Sequence, residues 1–572
     1  MTDIRRTVLW VVFTMSLVLL WDGWQKHNGH PSMFSPAAPK AASSAAPGTP
    51  ASSGVPAATA AAGQAPAPAA TPAAAPSEKI TIRTDVLTVT VDTLGGDIVR
   101  AELPKYLTSP DPTVTDQLLQ MVHLQKKPEF TPEPVVLFNA AQHYRAQTGL
   151  VSAQGPLPAH TTPMTAVAGE RELKAGQDQV QLRLESAEVG GVKLVKTLTF
   201  KRGAYTVGVT HEVINTGTAP VTPQVYLQLV RDGSTVTGGA AFTPSFTGPA
   251  VYNDKAKFHT IKFEDIDKGK VDIEKQAGDG WVAMVQHYFA SAWLVNEPGN
   301  REFFVRKLPG QPGVSADTYA TGLVFTLPTL APNATATQQA TLFAGPQEEN
   351  NLAKLAPGLE RVKDYGMLTI LAEPLFWLLD KLHGFIGNWG WTIVALVLLL
   401  KVALYWLNAS AYRSMAKMKA VAPRITELKE RYKDKPQEMQ QAMMQIYREE
   451  KINPIGGCLP IFAQMPIFMA LYWVLLSTVE MRQAPWIFWI TDLSVRDPYF
   501  ILPLLMMASS LFQVWLNPPA ADPMQQKMMW IMPVAFGIMF FVFPAGLVLY
   551  WLTNNILSIA QQWMINKQLG VN

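Results

Sequence analysis

Trp389-Gly390-Trp391-Thr392-Ile393-Val394-Ala395-Leu396-Val397-Leu398-Leu399-Leu400-Lys401-Val402-Ala403-Leu404-Tyr405-Trp406-Leu407 is a nineteen-residue run in which Lys401 is the only side chain charged at neutral pH. At about 1.5 Å of rise per residue it would extend about 28 Å as a helix, close to the ~30 Å hydrocarbon layer of a bilayer. Trp389 and Trp391 at one end, with Tyr405 and Trp406 at the other, suit the two headgroup belts. The spacing predicts a membrane-crossing helix over 388–407. That reading decides the fold class: a multi-pass α-helical membrane protein.

Towards the C-terminus, residues 408–453 carry ten Lys or Arg, and by the positive-inside rule this segment is cytoplasmic. Ile425, Leu428 and Tyr432 precede an Asp434-Lys435-Pro436 break, and Met439, Met443 and Ile446 follow it, which predicts a helical hairpin with a thin apolar seam. Three more apolar blocks cover 455–479, 499–516 and about 528–565. The last, at about 57 Å, is too long for one crossing and should fold back at Phe543-Pro544-Ala545-Gly546, giving spans over 528–543 and 546–565. The loops 480–498 and 517–527 then lie outside and inside, and 566–572 ends in the cytoplasm.

Towards the N-terminus, Leu359, Val362, Leu368, Leu371, Leu375, Leu378, Leu379 and Leu382 recur at helical spacing across 358–383. This predicts an amphipathic helix in the outer membrane interface, or alternatively a core helix of the domain before it. Residues 78–345 alternate in short segments broken by Gly, Pro and Asn, the pattern of one large all-β sandwich. Residues 25–77 are mostly Ala, Pro, Ser, Thr and Gly, a composition that predicts a disordered tether. Residues 1–6 contain Arg5 and Arg6 before an apolar stretch, and 7–24 reads as an uncleaved anchor or, alternatively, a secretory signal. With the anchor, the chain has six spans, five of them forming the core bundle.

Composition excludes several functions. A net charge of +3 over 572 residues, with no dense basic face interleaved with aromatics, argues against direct nucleic-acid binding. Cys458 is the sole cysteine, so neither an intrachain disulfide nor a cysteine-built metal site is possible. The five expected spans after residue 387 hold no Asp or Glu, and no His follows His383, which removes an intramembrane carboxylate pair and a Ser-His pair. A Walker-type phosphate loop is absent. In the β region His211, His259 and His287 are the candidate acid-base groups for a sugar-converting enzyme, and lone strand histidines are more often packed or surface groups. No cofactor is implied, and the expectation is a chain that is not an enzyme.

What remains is one cation among neutral polar groups. Lys401 lies about 18 Å below Trp389 and about 6 Å above Tyr405, in the cytoplasmic half of its span. Gln464, Gln513, Thr553, Asn554 and Asn555 fall at comparable depth. Facing one another, they would line a wet cavity open to the cytoplasm. The alternatives are a Lys401 that snorkels to the inner headgroups, and polar groups that bond helix to helix.

Asn453-Pro454-Ile455-Gly456-Gly457-Cys458-Leu459-Pro460, continuing through Gln464-Met465-Pro466-Ile467-Phe468, resembles the third span of the Gram-negative branch of the YidC/Oxa family. So do Arg482-Gln483-Ala484-Pro485-Trp486, Asp497-Pro498-Tyr499, Asp522-Pro523-Met524-Gln525-Gln526-Lys527, and Phe543-Pro544-Ala545-Gly546-Leu547 with Tyr550. The resemblance covers nearly the whole chain. It implies an inner-membrane insertase and folding chaperone that accepts nascent membrane-protein clients, alone or with the Sec translocon and its accessory subunits. It places a periplasmic super-sandwich resembling the galactose mutarotases over the bundle. Lys401 stands where the family has an Arg in a hydrophilic groove, keeping the charge but not the planar fork. Client-contact faces fall on the third and fifth spans, at Ile461, Met465, Phe468, Met532 and Phe536. Membrane lipids are partners, and ribosome contact would fall to the cytoplasmic hairpin.

Overall fold

The computed structural model describes residues 56, 77–109, 114–121, 126, 130–234, 246–308, 317–432, 435–450, 459–517 and 523–568. The expected anchor over 7–24, nearly all of the linker over 25–77, Asp434, residues 453 to 458 of the quoted motif and Asp522 lie outside them.

The β region forms two nine-stranded sheets. One runs β1 (Lys79–Arg83), β2 (Thr88–Asp92), β3 (Asp97–Leu107), β5 (Arg145–Val151), β10 (Gln224–Asp232), β17 (Thr318–Thr326), β16 (Arg301–Leu308) and β13 (Gln276–Ala277), with β4 (Pro134–Val136) beside β3. The other runs β12 (Lys257–Thr260), β11 (Gly248–Asn253), β14 (Trp281–Gln286), β15 (Phe289–Leu294), β18 (Thr335–Pro346), β9 (Thr206–Asn215), β8 (Val192–Lys201), β7 (Gln179–Ser186) and β6 (Met164–Ala166). Short helices α1 (Val114–Met121) and α2 (Phe263–Asp267) lie outside the sheets.

Burial explains why the strands pair as they do. Along β9, Val207, Val209, His211, Val213 and Asn215 are buried while their neighbours are not, because one face meets the core and the other does not. Both faces of β14 and β15 are buried. Their second face, floored by Ala283, Ala290 and Ala292, takes α3 (Glu349–Leu355) and a 3-10 turn at Leu359–Val362, with Leu352, Leu359 and Val362 packing against Tyr252 and Trp281. The small floor residues let this exit segment approach the sheet closely.

A single helix over 358–383 does not form. Gly358 and Gly366 have φ of 74° and 65°, a left-handed conformation that interrupts a helix. The helix α4 instead spans Thr369–Ile386 and stops at Gly387, also left-handed. Its buried residues Ala372, Phe376 and Leu379 join the helical bundle, whereas Leu359 and Val362 belong to the sandwich. The segment thus divides between the sandwich, the alternative weighed for it, and the helical bundle.

The helical region continues with α5 (Trp389–Ala403), α6 (Tyr405–Arg431), α7 (Pro436–Glu449), α8 (Leu459–Ser477), α9 (Ile501–Leu516), α10 (Pro523–Met539) and α11 (Ala545–Gln568). Among the described residues no single helix is both long and apolar enough to cross a membrane. The bent pair Trp389–Ala403 and Asn408–Ser414 meets that test together, at an angle of 66°. The continuous helix expected to Leu407 therefore breaks earlier. Leu404 leaves helical geometry at φ −97°, ψ 14°, and beyond the break Gln561 Nε2 donates to the Tyr405 carbonyl at 3.3 Å. A side chain drawn into the backbone ladder is a recognised cause of a kink.

Helices α6 and α7 share the seam Val421, Ile425 and Ile446, with Leu428 and Met443 beside it, and Arg424 pairs with Glu450 at 2.7 Å. Between α10 and α11 the helix stops at the expected residues. Phe543 is extended, and the Ala545 and Gly546 amides donate to Val495 and Leu493 carbonyls at 2.7 and 2.9 Å. The sandwich meets the loop after α8 directly. Arg482 and Gln483 both donate to the Leu107 carbonyl, at 2.8 and 3.0 Å, and Gln117 donates to the Asp497 carbonyl at 2.8 Å. Asp497 itself is buried. Its carboxylate accepts from Trp489 Nε1, Tyr499 N and Leu502 N at 3.0, 2.9 and 2.7 Å, so it organises this loop and caps the start of α9.

Candidate functional site

Lys401 sits two residues before the end of α5, and its stem reaches α11. There Nζ donates to Ser558 Oγ at 2.7 Å, and Ser558 Oγ donates in turn to the Asn554 carbonyl at 2.7 Å. Gln464 Nε2 on α8 donates to Asn554 Oδ1 at 2.8 Å. Three helices are thus joined by neutral acceptors around one ammonium. No carboxylate lies within 4 Å of Lys401 among the described residues.

Val397, Leu400, Lys401, Leu404, Asn408, Gln464, Ile467, Tyr550 and Asn554 line a narrow pocket with room for about one water. Asn408, seven residues on from Lys401 and past the bend at Leu404, is buried in the same wall. Tyr412, also past the bend, hydrogen-bonds Ser558. A cation held by a neutral hydroxyl, with no counter-ion among the described residues, keeps its attraction for an arriving carboxylate.

Not every expected residue reaches this pocket. Asn555 is buried and turned away, its Nδ2 donating to Ser509 and Ser510 hydroxyls on α9 at 2.8 and 3.3 Å. Successive helix positions lie about 100° apart, so Asn554 and Asn555 cannot share a face. Asn555 is an interhelical tie, the alternative weighed for it. Thr553 and Gln513 are half-buried and do not line the pocket. Among the client-face residues, Met465, Met532 and Phe536 are exposed. Phe468 instead stacks on Trp551, ring centroids 4.5 Å apart, and the Ile461 side chain lies outside the described residues.

Residue-by-residue reading passed over Ser558, Asn408, Gln561 and Gln562. Gln562 Nε2 donates to Asn517 Oδ1 at 2.9 Å. Their signal was present: Asn554, Ser558 and Gln561 recur at i, i+4 and i+7, one polar stripe along an otherwise apolar helix.

The histidines of the sandwich do not form a constellation. His211 is buried with Nε2 2.9 Å from Thr148 Oγ1, and burial beside the Lys196 charge pushes it down to about 3. His287 is pushed down to about 4 by burial and by Arg482. His259 is exposed, its Nε2 2.8 Å from the Ala256 carbonyl. Inside the sandwich, Lys196 Nζ donates to the Gly95 and Thr148 carbonyls at 2.6 and 2.7 Å, and Gln147 donates to Asp97 at 2.7 Å. Burial holds the Asp97 carboxyl up at about 7 and Lys196 down at about 8. These groups hold the packing of the core together. Among the described residues no group of three or more His, Cys, Asp or Glu could hold a metal ion.

Two family models match in tandem: one described as the YidC periplasmic domain over residues 79–378, and one described as the 60Kd inner membrane protein over 381–571. Similar curated proteins include a "Membrane protein insertase YidC" from Cupriavidus taiwanensis, 52% identical over 99% of this chain and 98% of that protein. Another of the same description from Ralstonia nicotianae is 50% identical over 100% and 99%. Among solved structures, a YidC insertase crystal structure with its first transmembrane domain resolved is similar over 84% of this chain and 91% of that one, at 18% identity and a TM-score of 0.39.

Proposed function

This chain belongs to the YidC family of membrane protein insertases, and from that premise we propose that it inserts its clients through the pocket at Lys401. It is a membrane insertase of the bacterial inner membrane with a periplasmic β-sandwich domain, and its work is insertion rather than bond chemistry.

The physical problem is the polar flank of a client. Moving an apolar helix from water into lipid is favourable by about 25 cal/mol per Å², so the barrier lies in carrying the attached polar tail or loop across. A charge at the bilayer centre costs on the order of 2.5 to 3.5 kcal/mol on insertion scales. In our reading the pocket opens to the cytoplasm, so that water and the Lys401 charge shorten the dry path for a client carboxylate. At about 4 Å and an effective dielectric near 20, that attraction is on the order of 4 kcal/mol before desolvation is counted. The client helix then leaves laterally past the exposed Met465, Met532 and Phe536. The observation that carries this is the Lys401 ammonium, hydrogen-bonded to Ser558 with no carboxylate beside it among the described residues.

The finer topology belongs to the same reading. Six spans, with 7–24 as the first, place both termini and the α6–α7 hairpin in the cytoplasm, and α4 lies in the outer interface against lipid. The apolar exposed residues Ile370, Trp377 and Phe385 on α4 support that placement. Clients arrive alone or from the Sec translocon and its accessory subunits, and the hairpin is the surface for a ribosome. Photocrosslinking a stalled nascent chain to probes at Met465 and Phe536 tests the route. Adducts that form there and vanish on chain release support it; adducts confined to the sandwich contradict it.

A further inference from the structure

Lys363 carries a charge at 3% exposure. The sequence brings it there by two reversals. Gly358, pressed against the Tyr252 ring, turns the chain into Leu359–Val362, and Lys363 follows in extended geometry before Gly366 turns it again. The ammonium ends 3.5 Å from the centre of the Phe376 ring and 3.8 Å from a carboxylate oxygen of both Glu349 and Glu480. Neither Lys363 Nζ nor Glu480 Oε2 has a hydrogen-bond partner among the described residues.

The three neighbours come from three different parts of the molecule. Glu349 opens α3 as the chain leaves the sandwich, and its carboxylate also accepts from the Tyr365 hydroxyl at 2.6 Å. Phe376 lies on α4. Glu480 sits in the 3-10 turn Val479–Met481 that follows α8, where Val479 is itself part of the sandwich core. Ser477, the last residue of α8, donates to the Asp364 carbonyl at 2.9 Å, and Trp473 packs against Gly366.

A buried ion pair of this kind is poor value as glue, since a well-packed apolar group of the same size often serves as well. Its distinctive property is direction: one ammonium must satisfy two carboxylates on separate elements, which fixes where those elements sit. We propose that Lys363 is a positioning residue for insertion, fixing the outer end of α8 against the sandwich and α4 and thereby setting where Gln464 and Met465 stand at its other end. The lever is long. From Ser477 to Gln464 is about 20 Å of helix, so a tilt of about 10° displaces Gln464 by about 3 Å. That displacement would break its bond to Asn554. Pro466 interrupts the helix only at the far end of this lever, so most of the rod is intact.

This rests on the insertase reading above, and the test separates the two. The full chain in proteoliposomes, with Cys458→Ser as background, carries spin labels at Met465 and Phe385 while insertion of a short client is followed by protease protection. Lys363→Met is expected to lower insertion by about fivefold or more and to shift or broaden the label distance by about 3 Å, with the sandwich still protease-resistant. Lys363→Arg, which keeps a cation between Glu349 and Glu480, is expected to retain insertion to within about twofold. Insertion unchanged in Lys363→Met, or lost with no change in the distance, overturns the proposal. If Lys363→Met does not fold, Glu480→Gln, which leaves the Glu349 pair, is read by the same two criteria. Should the unsubstituted chain itself fail to insert, the insertase reading falls, and the distance measurement still decides whether Lys363 sets the position of α8.

Discussion

Lys401 Nζ and Ser558 Oγ lie 2.7 Å apart, and the hydroxyl in turn donates a hydrogen bond to the Asn554 carbonyl one turn back along α11. The ammonium is therefore held by a neutral hydroxyl, with no counter-ion among the described residues. Snorkelling to the headgroups would require this bond to Ser558 to break.

Charge at this position should matter more than shape. Lys401→Arg is expected to keep insertion of an acidic-tailed client within about threefold, and Lys401→Glu to lower it by about tenfold or more, a difference of about 1.4 kcal/mol per factor of ten. Initial rates in proteoliposomes measure it. Equal rates for the two variants would mean that the cation plays no part in attracting the client.

Gln464 and Asn554 should be energetically coupled. Interhelical hydrogen bonds of this kind are worth about 0.6 kcal/mol and seldom more than about 2. Gln464→Leu and Asn554→Leu, singly and together, form a cycle whose interaction energy in detergent unfolding should fall in that range. Strict additivity would show that their 2.8 Å contact contributes nothing.

Much of this was legible in the sequence, and the misses have physical causes. Alternation along β9 and the proline at 544 are local signals, so the all-β domain and the break before α11 could be read directly. Which strand pairs with which is decided by distant partners, as with β5 beside β10, and no local pattern carries it. Lys401 stood out because a charge in an apolar run is costly. Ser558 did not, since a hydroxyl can bond back to its own helix at little cost, as it does here. The helix over 358–383 was over-extended because leucine spacing outweighed Gly358 and Gly366, whose left-handed geometry becomes visible only when the segment is seen to serve two cores.

Gly358→Ala tests that junction. An added Cβ would lie 2.3 Å from the Tyr252 ring, at a backbone φ of +74°. Left-handed geometry costs an alanine about 1 to 2 kcal/mol and overpacking about 1 to 3 more. Thermal unfolding of the full chain should show the loss, with new protease sites appearing near residue 358. An unchanged melting temperature would mean that the turn is not under this constraint.

Acid should weaken the sandwich through its histidines. Folded His287 is held down at about 4 and His211 at about 3, against about 6.5 in the unfolded chain. As pH falls below about 6.5 the unfolded state binds these protons first, so stability present above that pH is lost towards 4 at about 1.4 kcal/mol per pH unit for each histidine. Asp97, held up at about 7, acts in the opposite sense and offsets roughly one of them. His287→Asn should therefore flatten the loss between about pH 6.5 and 4 by about 1.4 kcal/mol per unit. Denaturant titrations at several pH values with superimposable slopes for both proteins would contradict this.

The central claim is that the Lys401 pocket holds water continuous with the cytoplasm. With Cys458, the sole native cysteine, replaced by serine, single cysteines at Asn408, Gln464 and Asn554 can be challenged by a membrane-impermeant thiol reagent from either side of oriented vesicles. The account predicts rapid labelling from the cytoplasmic side and none from the periplasmic side. Positions that stay unlabelled from both sides, while an exposed cysteine on α7 reacts, would show a dry interior and contradict it.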